Sequence, residues 1–322
     1  MSSPSEALQI LTTGDGSLTF YSEEFGQPFH NLSGAYQEAL EKFVLPCNLH
    51  QLAASQSQIH LLDVCFGLGY NSGVAVETIR QINPDCQVHL IGLERSPTVP
   101  TQACSNGLWS RWDFALAWAE LLPSDPDDQD GRADPVAAVC TDRLHTQIFW
   151  GDARQTIGQV PLHWADAVFL DPFSPSVCPE LWTVEFLEQI ARRIRSNGRL
   201  TTYSCAAAVR AGLLLAGFSI GSTPPIGRPW PGTVASLTDK HLPTLSQSEL
   251  EHLHTRAAVP YRDPSLTAQR HQIQTMRQQQ QHLSTLEPTS VWKKRWDRGE
   301  TTKHAILPGH PEPLPVERSD PP

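Results

Sequence analysis

Asp63-Val-Cys65-Phe66-Gly67-Leu-Gly69-Tyr-Asn71 follows directly on the apolar run Ile59–Leu62. Behind it Val74, Val76 and Ile79 recur at helical spacing. This order predicts a strand, a tight turn and a helix. Gly67 and Gly69 permit the turn and let a ligand approach the backbone. The first N–H groups of the helix then favour a carboxylate or another anion. Cys65 stands where a dinucleotide-binding loop has its first glycine, which weighs against a pyrophosphate there.

Strand–helix alternation runs outward from this loop. Apolar runs predict strands at Ile59–Val64, Val88–Leu93, Gln147–Trp150, Ala167–Leu170, Arg199–Ser204, Phe218–Ile220 and Thr233–Leu237. Helices are expected at Ser72–Ile82, Thr183–Ile194 and Ala206–Leu215. The pattern implies an α/β fold with a doubly wound, mostly parallel, seven-stranded sheet whose last strand is reversed. Residues 1–50 read as an N-terminal extension, with a short strand at Leu18–Tyr21 and a helix after Gly34 that Pro46 ends. Residues 51–237 read as the main domain, with an insertion over about 96–145. Within it Trp109, Trp112, Phe114 and Trp118 suggest an amphipathic helix, and the acidic, turn-rich run Pro123–Gly131 a solvated loop. Residues 238–322 read as a C-terminal tail, Gln-rich and helical around Gln278–Gln281, Pro-rich and disordered from Pro308.

The chain has 322 residues, is 39% hydrophobic and carries a net charge of −10, which argues against coating nucleic acid through bulk charge. Its seven cysteines form no CxxC pair, so neither a zinc site nor a disulfide framework is expected. Thirteen histidines show no strong ligand spacing; the His252/His254 pair lies in a polar stretch, and no metal is expected. No signal-peptide pattern opens the chain, and no apolar run approaches the ~20 residues of a membrane span. A soluble, cytoplasmic protein is expected.

Three further positions carry chemistry. Glu94 ends the second strand, where an acid can accept hydrogen bonds from both hydroxyls of a ribose, as it does in NAD-binding folds too. Asp152, in Gly151-Asp152-Ala153 after the third, suits an adenine amino group or the N-cap of the next helix. Asp171-Pro172-Phe173-Ser174-Pro175 follows the fourth, where open α/β sheets hold their active sites. A carboxylate there can orient an amine and take its proton, and Phe173 can stack on a base or shield a sulfonium. Together these positions suggest methyl transfer from S-adenosylmethionine (SAM) to an amine. Arg192, Arg193, Arg195 and Arg199 can contact phosphate or simply sit at a helix C-terminus. Val291-Trp292-Lys293-Lys294-Arg295-Trp296 suits RNA backbone and base contact, or packing of the tail onto the body.

The blocks resemble the methyltransferase module of MnmC, the bifunctional tRNA wobble-uridine modification protein, and its free-standing relatives. The resemblance runs from about Thr13 to Leu237. It includes Gly14–Ser22, His30–Glu38, Asp63–Asn71, Glu94, Gly151–Ala153, Asp171–Pro175, Pro179–Trp182, Gly198–Ser204 and Val209-Arg210. It implies a Rossmann-like SAM fold and methylation of the primary amine of 5-aminomethyl(-2-thio)uridine. It further implies that Asp63, Cys65, Phe66, Gly67, Gly69, Asn71, Glu94 and Asp152 bind SAM, with Tyr21 and Glu38 helping to close the site. Asp171 and Phe173 would stand at the acceptor amine. The chain carries no second GxGxxG segment for a flavin oxidase, so a separate enzyme is expected to supply the aminomethyl group. Expected tRNA contacts are Arg192–Arg199 and Lys293–Arg295. Two rival readings keep much of this pattern: a SAM enzyme for a small-molecule or protein amine, and a non-catalytic RNA-binding protein with the same fold. An NAD-dependent oxidoreductase fits less well, because of Cys65 and the acid-Pro-aromatic loop.

Overall fold

The computed structural model describes residues 8–123, 136–227, 229–239 and 241–302. A small antiparallel sheet comes first: β1 (Leu8–Thr12), β2 (Leu18–Ser22) and β3 (Gln27–Pro28). The main sheet holds β4 (Gln58–Val64), β5 (Gln87–Glu94), β6 (Val136–Cys140), β7 (Leu144–Trp150), β8 (Ala165–Leu170), β9 (Ile194–Thr202), β10 (Ser219–Thr223) and β11 (Gly232–Ser236). Their order across the sheet is β10-β11-β9-β8-β4-β5-β7-β6. The five strands from β9 to β7 are parallel, and β11 is reversed between β10 and β9. The sheet therefore has eight strands rather than the expected seven. The addition is β6, antiparallel to β7 at the edge and only partly buried. It lies inside the stretch read as an insertion, and an edge strand lacks the two-sided burial that marks the central ones.

Strands β4, β5 and β8 face an apolar core on each side. Ile59, Leu61, Val88, Leu90, Ala167 and Phe169 enter one; Leu62, Val64, Ile91, Leu93, Val168 and Leu170 enter the other. A strand buried on both faces must be apolar at nearly every position. Each large aliphatic side chain so buried stabilises the fold by about 1.5–3 kcal/mol. Helix Tyr70–Ile82 covers the first core through Val74, Ala75, Val76 and Ile79. Helices Val184–Arg193 and Ala207–Leu215 cover the second. Thr183 caps the former, its hydroxyl accepting from the Phe186 N–H.

The insertion departs from the expected amphipathic helix. Helices Thr98–Ser105 and Ala115–Ala119 lie there, but of the four aromatic residues only Trp118 is on one; Trp109 and Phe114 lie on turns and Trp112 on a bend. The four rings still gather: Trp109–Trp118 centroids are 5.6 Å apart and Phe114–Trp118 4.8 Å. Trp109 Nε1 donates to the Leu68 carbonyl (2.9 Å) and Trp118 Nε1 to Thr146 Oγ1 (3.1 Å). Buried indoles need N–H partners, and partners on different elements rule out a single helical stripe. Of the expected acidic loop only residues up to Pro123 are described, and the Pro-rich end lies outside the described residues.

Residues 241–302 pack back onto the sheet, with Leu253, Ala258, Tyr261 and Ile273 entering the second core. Trp292 is buried and stacks on His252 at 4.8 Å, and Arg295 pairs with Glu251 (2.9 Å) and Glu287 (3.0 Å). Of the two readings of that basic-aromatic segment, packing is the one these two side chains follow.

The chain leaves β4 towards β5 and β7, then returns to β8 on the other side. The crossovers diverge and leave a crevice above the carboxyl ends of β4 and β8, where ligands of open α/β sheets bind. A Cβ at Gly73, on the helix flanking this crevice, would overlap the buried Trp112 ring. Gly73→Val is therefore expected to cost about 1–3 kcal/mol, the usual range for overpacking. Urea unfolding measures it, and an unchanged midpoint would contradict this packing.

Candidate active site

The loop after β4 carries three residues in the left-handed region: Cys65 (φ 72), Gly67 (φ 52) and Gly69 (φ 80). The first of these is not a glycine, and such strain persists where surrounding structure fixes it, often at ligand sites. Here the Cys65 and Phe66 N–H groups both donate to the Leu93 carbonyl, at 3.0 and 3.1 Å. The Gly67 N–H donates to Glu94 Oε2 (2.9 Å) and the Ser96 N–H to Oε1 (3.3 Å), which ties the loop to the end of β5. Burial holds the Glu94 carboxyl above its ordinary range, opposed by these backbone donors.

Asp63 supports the loop from inside. It is fully buried, and its Oδ2 accepts from the Ser72 hydroxyl at 2.6 Å. Its Oδ1 has no hydrogen-bond partner. Burial is the main reason its pKa is pushed up to about 7, with the Glu94 charge adding to it.

Above the loop lies a cavity of about 530 Å³, within the range of small-molecule sites. Nine of the expected site residues line it: Glu38, Cys65, Phe66, Gly67, Asn71, Glu94, Asp152, Asp171 and Phe173. Asp63, Gly69 and Tyr21 do not. On the side of β5 and β7 stand Glu94 and Asp152. The Asp152 carboxylate caps helix Ala153–Thr156, accepting from the Arg154 N–H (2.9 Å), and also binds the Arg154 guanidinium (2.6 Å to Nη2). Arg154 reaches on to Asp263 (3.0 Å) and the Ala268 carbonyl (2.9 Å), so the C-terminal residues brace this wall.

On the side of β8 stands Asp171. Asn71 Nδ2 donates to its Oδ2 at 2.8 Å. Burial, then the nearby Glu38 charge, holds the Asp171 carboxyl well above its usual range, against the Asn71 donor. Tyr203 OH donates to the Pro172 carbonyl (2.9 Å) and Trp182 Nε1 to that of Phe173 (2.9 Å), so the loop is pinned from two elements. Phe173 stacks on Phe25 (4.2 Å, 17°) and meets Phe29 edge-on (5.1 Å). Arg95 and Arg270 lie over the Phe25 ring at 5.7 and 5.4 Å.

Sequence reasoning missed Phe25, Phe29, Arg95, Arg154, Tyr203 and Arg270 as site residues. Phe25 and Phe29 sit between two recognisable blocks, and their nearness was a usable signal; nothing in the sequence points to Arg270. The expected phosphate-contacting arginines need correction. Arg193 is buried against the Ile157 carbonyl (3.1 Å), Arg195 pairs with Asp166 (2.6 Å), and Arg199 pairs with Asp239 (2.6 Å). Arg193 and Arg195 also flank the amino end of β9, across the sheet from the cavity. Of the basic residues in the two expected patches only Arg192, Lys293 and Lys294 are exposed. Among the described residues no group of three or more His, Cys, Asp or Glu could hold a metal, and no helix is long and apolar enough to cross a membrane.

Comparison with known proteins adds to this geometry. Residues 133–238 match a family described as S-adenosyl-L-methionine-dependent methyltransferase. The crystal structure of MnmC2 from Aquifex aeolicus is similar with a TM-score of 0.71 and 34% identity, covering 87% of this chain and 86% of that one. The tRNA 5-methylaminomethyl-2-thiouridine biosynthesis bifunctional protein MnmC of Paracidovorax citrulli is 30% identical over 244 residues, 68% of this chain and 33% of that protein. An uncharacterized protein of Methanocaldococcus jannaschii is 26% identical over 267 residues, 82% of this chain and 70% of that one. The chain spans about a third of the length of the bifunctional MnmC relatives.

Asp63 gives a pH prediction. Unfolded, its carboxyl ionises near 3.8; folded, near 7. Between these values the folded state holds the extra proton, so stability falls through this group as pH rises from about 4 to about 7. Asp63→Asn is expected to shrink the drop in melting temperature between pH 5 and pH 8. Equal drops in parent and variant would contradict the assignment.

Proposed function

The chain belongs to the family of the MnmC methyltransferase module, and from that premise we propose that it methylates the primary amine of 5-aminomethyl(-2-thio)uridine at the tRNA wobble position. It is a SAM-dependent methyltransferase. The observation that carries the finer reading is the cavity that brings the glycine loop of β4 and the Asp171 loop of β8 to one space.

The residues present fit SAM. The start of helix Tyr70–Ile82, just past the turn at Gly67, suits its carboxylate. Glu94 keeps lone pairs for ribose hydroxyls beyond its two backbone donors. Asp152, held by Arg154, and the neighbouring Ala153 suit the adenine end. Bound there, SAM supplies an electrophilic methyl group.

The chain's own residues then have distinct tasks. Asp171 orients the acceptor nitrogen and takes its proton, because only a nitrogen with a free lone pair can be alkylated. Burial and the Glu38 charge raise its affinity for a proton, which strengthens it as a base. Phe25, Phe29 and Phe173 offer ring faces and edges against which a pyrimidine can stack. Residues 8–50 roof the cavity and residues 51–237 form its floor in this reading, while 241–302 contribute Arg270 and brace Arg154. Arg95, paired with Glu24 (2.7 Å), and Arg270, 3.7 Å from Glu180, both lie at the Phe25 ring beside the cavity, where a guanidinium can also meet a phosphate. A tRNA substrate implies a cytoplasmic protein.

A second acceptor class, a small-molecule or protein amine, draws support from the net charge of −10. Labelled SAM separates the two. The expected result is label on tRNA that lacks the terminal methyl; label on small molecules or protein alone would refute the tRNA reading. Asp171→Ala is expected to lower turnover by roughly 10²–10⁴-fold, the range of general acid–base groups, while SAM affinity changes little. Near-normal turnover would remove Asp171 from the mechanism. Gly67→Val is expected to weaken SAM binding, since φ 52 disfavours a branched residue and the side chain would enter the cavity. An unchanged dissociation constant, by calorimetry, would refute that position for the ligand.

A further inference from the structure

Two more side chains at the Asp171 end of the cavity stand in an unusual electrical state. Asn71 is 5% exposed and lines the cavity. Its Nδ2 is committed to Asp171, and its Oδ1 is buried with no hydrogen-bond partner. A buried carbonyl oxygen without a donor is costly unless a ligand supplies one. Glu38 is 8% exposed and lines the same space. Its Oε2 accepts from the Asn31 N–H (2.6 Å), and its Oε1 lies 3.9 Å from Lys42 Nζ, a side chain almost wholly buried.

Acids crowd this end of the cavity: Glu38 and Asp171 line it, Asp63 lies behind them, and Lys42 is the amine beside Glu38. Burial and the Glu38 charge disfavour the ionised form of Asp171. A ligand that carries one positive charge and several N–H donors favours that ionised form and supplies the donor that the orphaned Asn71 oxygen lacks.

We propose that Glu38, Asn71 and Asp171 together form a receptor for a primary ammonium, with Asn71 accepting one of its N–H bonds and Glu38 acting as a positioning residue through the field it sets. This rests on the reading above that an amine is the methyl acceptor, and it adds the protonation state in which that amine is bound. The acceptor enters as R–NH₃⁺. One N–H bond breaks, its proton passes to the Asp171 carboxylate, and the electron pair stays on nitrogen as R–NH₂. No further reactant is needed. The resemblance gives Asn71 to SAM and Glu38 to closing the site; this proposal assigns both to the acceptor instead.

The test is binding, with S-adenosylhomocysteine present at saturation, of 5-(aminomethyl)uracil against 5-(hydroxymethyl)uracil at pH 7 by calorimetry. The parent is expected to prefer the amine by at least about tenfold. Glu38→Gln and Asn71→Leu are each expected to reduce that preference to about threefold or less, with S-adenosylhomocysteine binding retained as proof of folding. A preference that survives both variants, or is absent from the parent, would overturn the receptor. The pair n-butylammonium and n-butanol separates this inference from the tRNA reading. If only the butyl pair binds, with a preference that Glu38→Gln removes, the receptor stands and the uridine acceptor falls. The pH profile gives a second readout. Glu38→Gln is expected to move the acid limb of kcat/KM for the methylated amine to lower pH, because one of the charges that hold up Asp171 is gone; an unmoved limb would contradict the role given to Glu38.

Discussion

The parallel pairing of β4 with β8, Val64 opposite Leu170, is the constraint on which the site depends. It puts the first residues after each strand side by side, and the Asp171 N–H donates to the Val64 carbonyl at 3.2 Å. The loop at Cys65–Gly69 and the loop at Asp171–Phe173 are more than 100 residues apart in sequence yet share one cavity because of that ladder. Both strands are buried on both faces, so neither can slip by one residue without moving its side chains to the wrong core. The precision of the site is thus inherited from apolar packing well below it.

That burial has an electrostatic consequence. Asp63, Glu94 and Asp171 are three acids gathered at the ends of β4, β5 and β8, and desolvation raises the pKa of each. Protein stability alone would not favour such a cluster, since like charges in a poorly solvated place repel. In the proposed reading a ligand with a cationic centre and several donors favours their ionised forms. Sites of this kind hold backbone strain and buried acids that folding alone does not favour.

How much of this was legible in the sequence follows from which interactions are local. Strands β4, β5 and β8 announce themselves because two-sided burial forces a nearly continuous apolar run. The loop residues after them follow from chain position alone, so Gly67, Glu94 and Asp171 could be named. Edge strand β6, the turn of Trp109 and the bend of Trp112 could not, because their form depends on partners in other elements. Arginine roles were the least readable. Nothing near Arg195 or Arg199 reveals that Asp166 and Asp239 neutralise them, and nothing near Arg270 reveals that it meets Phe25. Asp152 was legible as a cap and pocket residue at once, but not its hold on Arg154.

In the proposed arrangement one cavity sets the methyl donor against an amine at Asp171. A crystal structure with S-adenosylhomocysteine bound tests it most directly. The amino-acid end is expected at the Gly67 turn, the ribose at Glu94 and the sulfur turned towards Asp171. The ligand bound elsewhere, or with its sulfur facing away from that carboxylate, would contradict it.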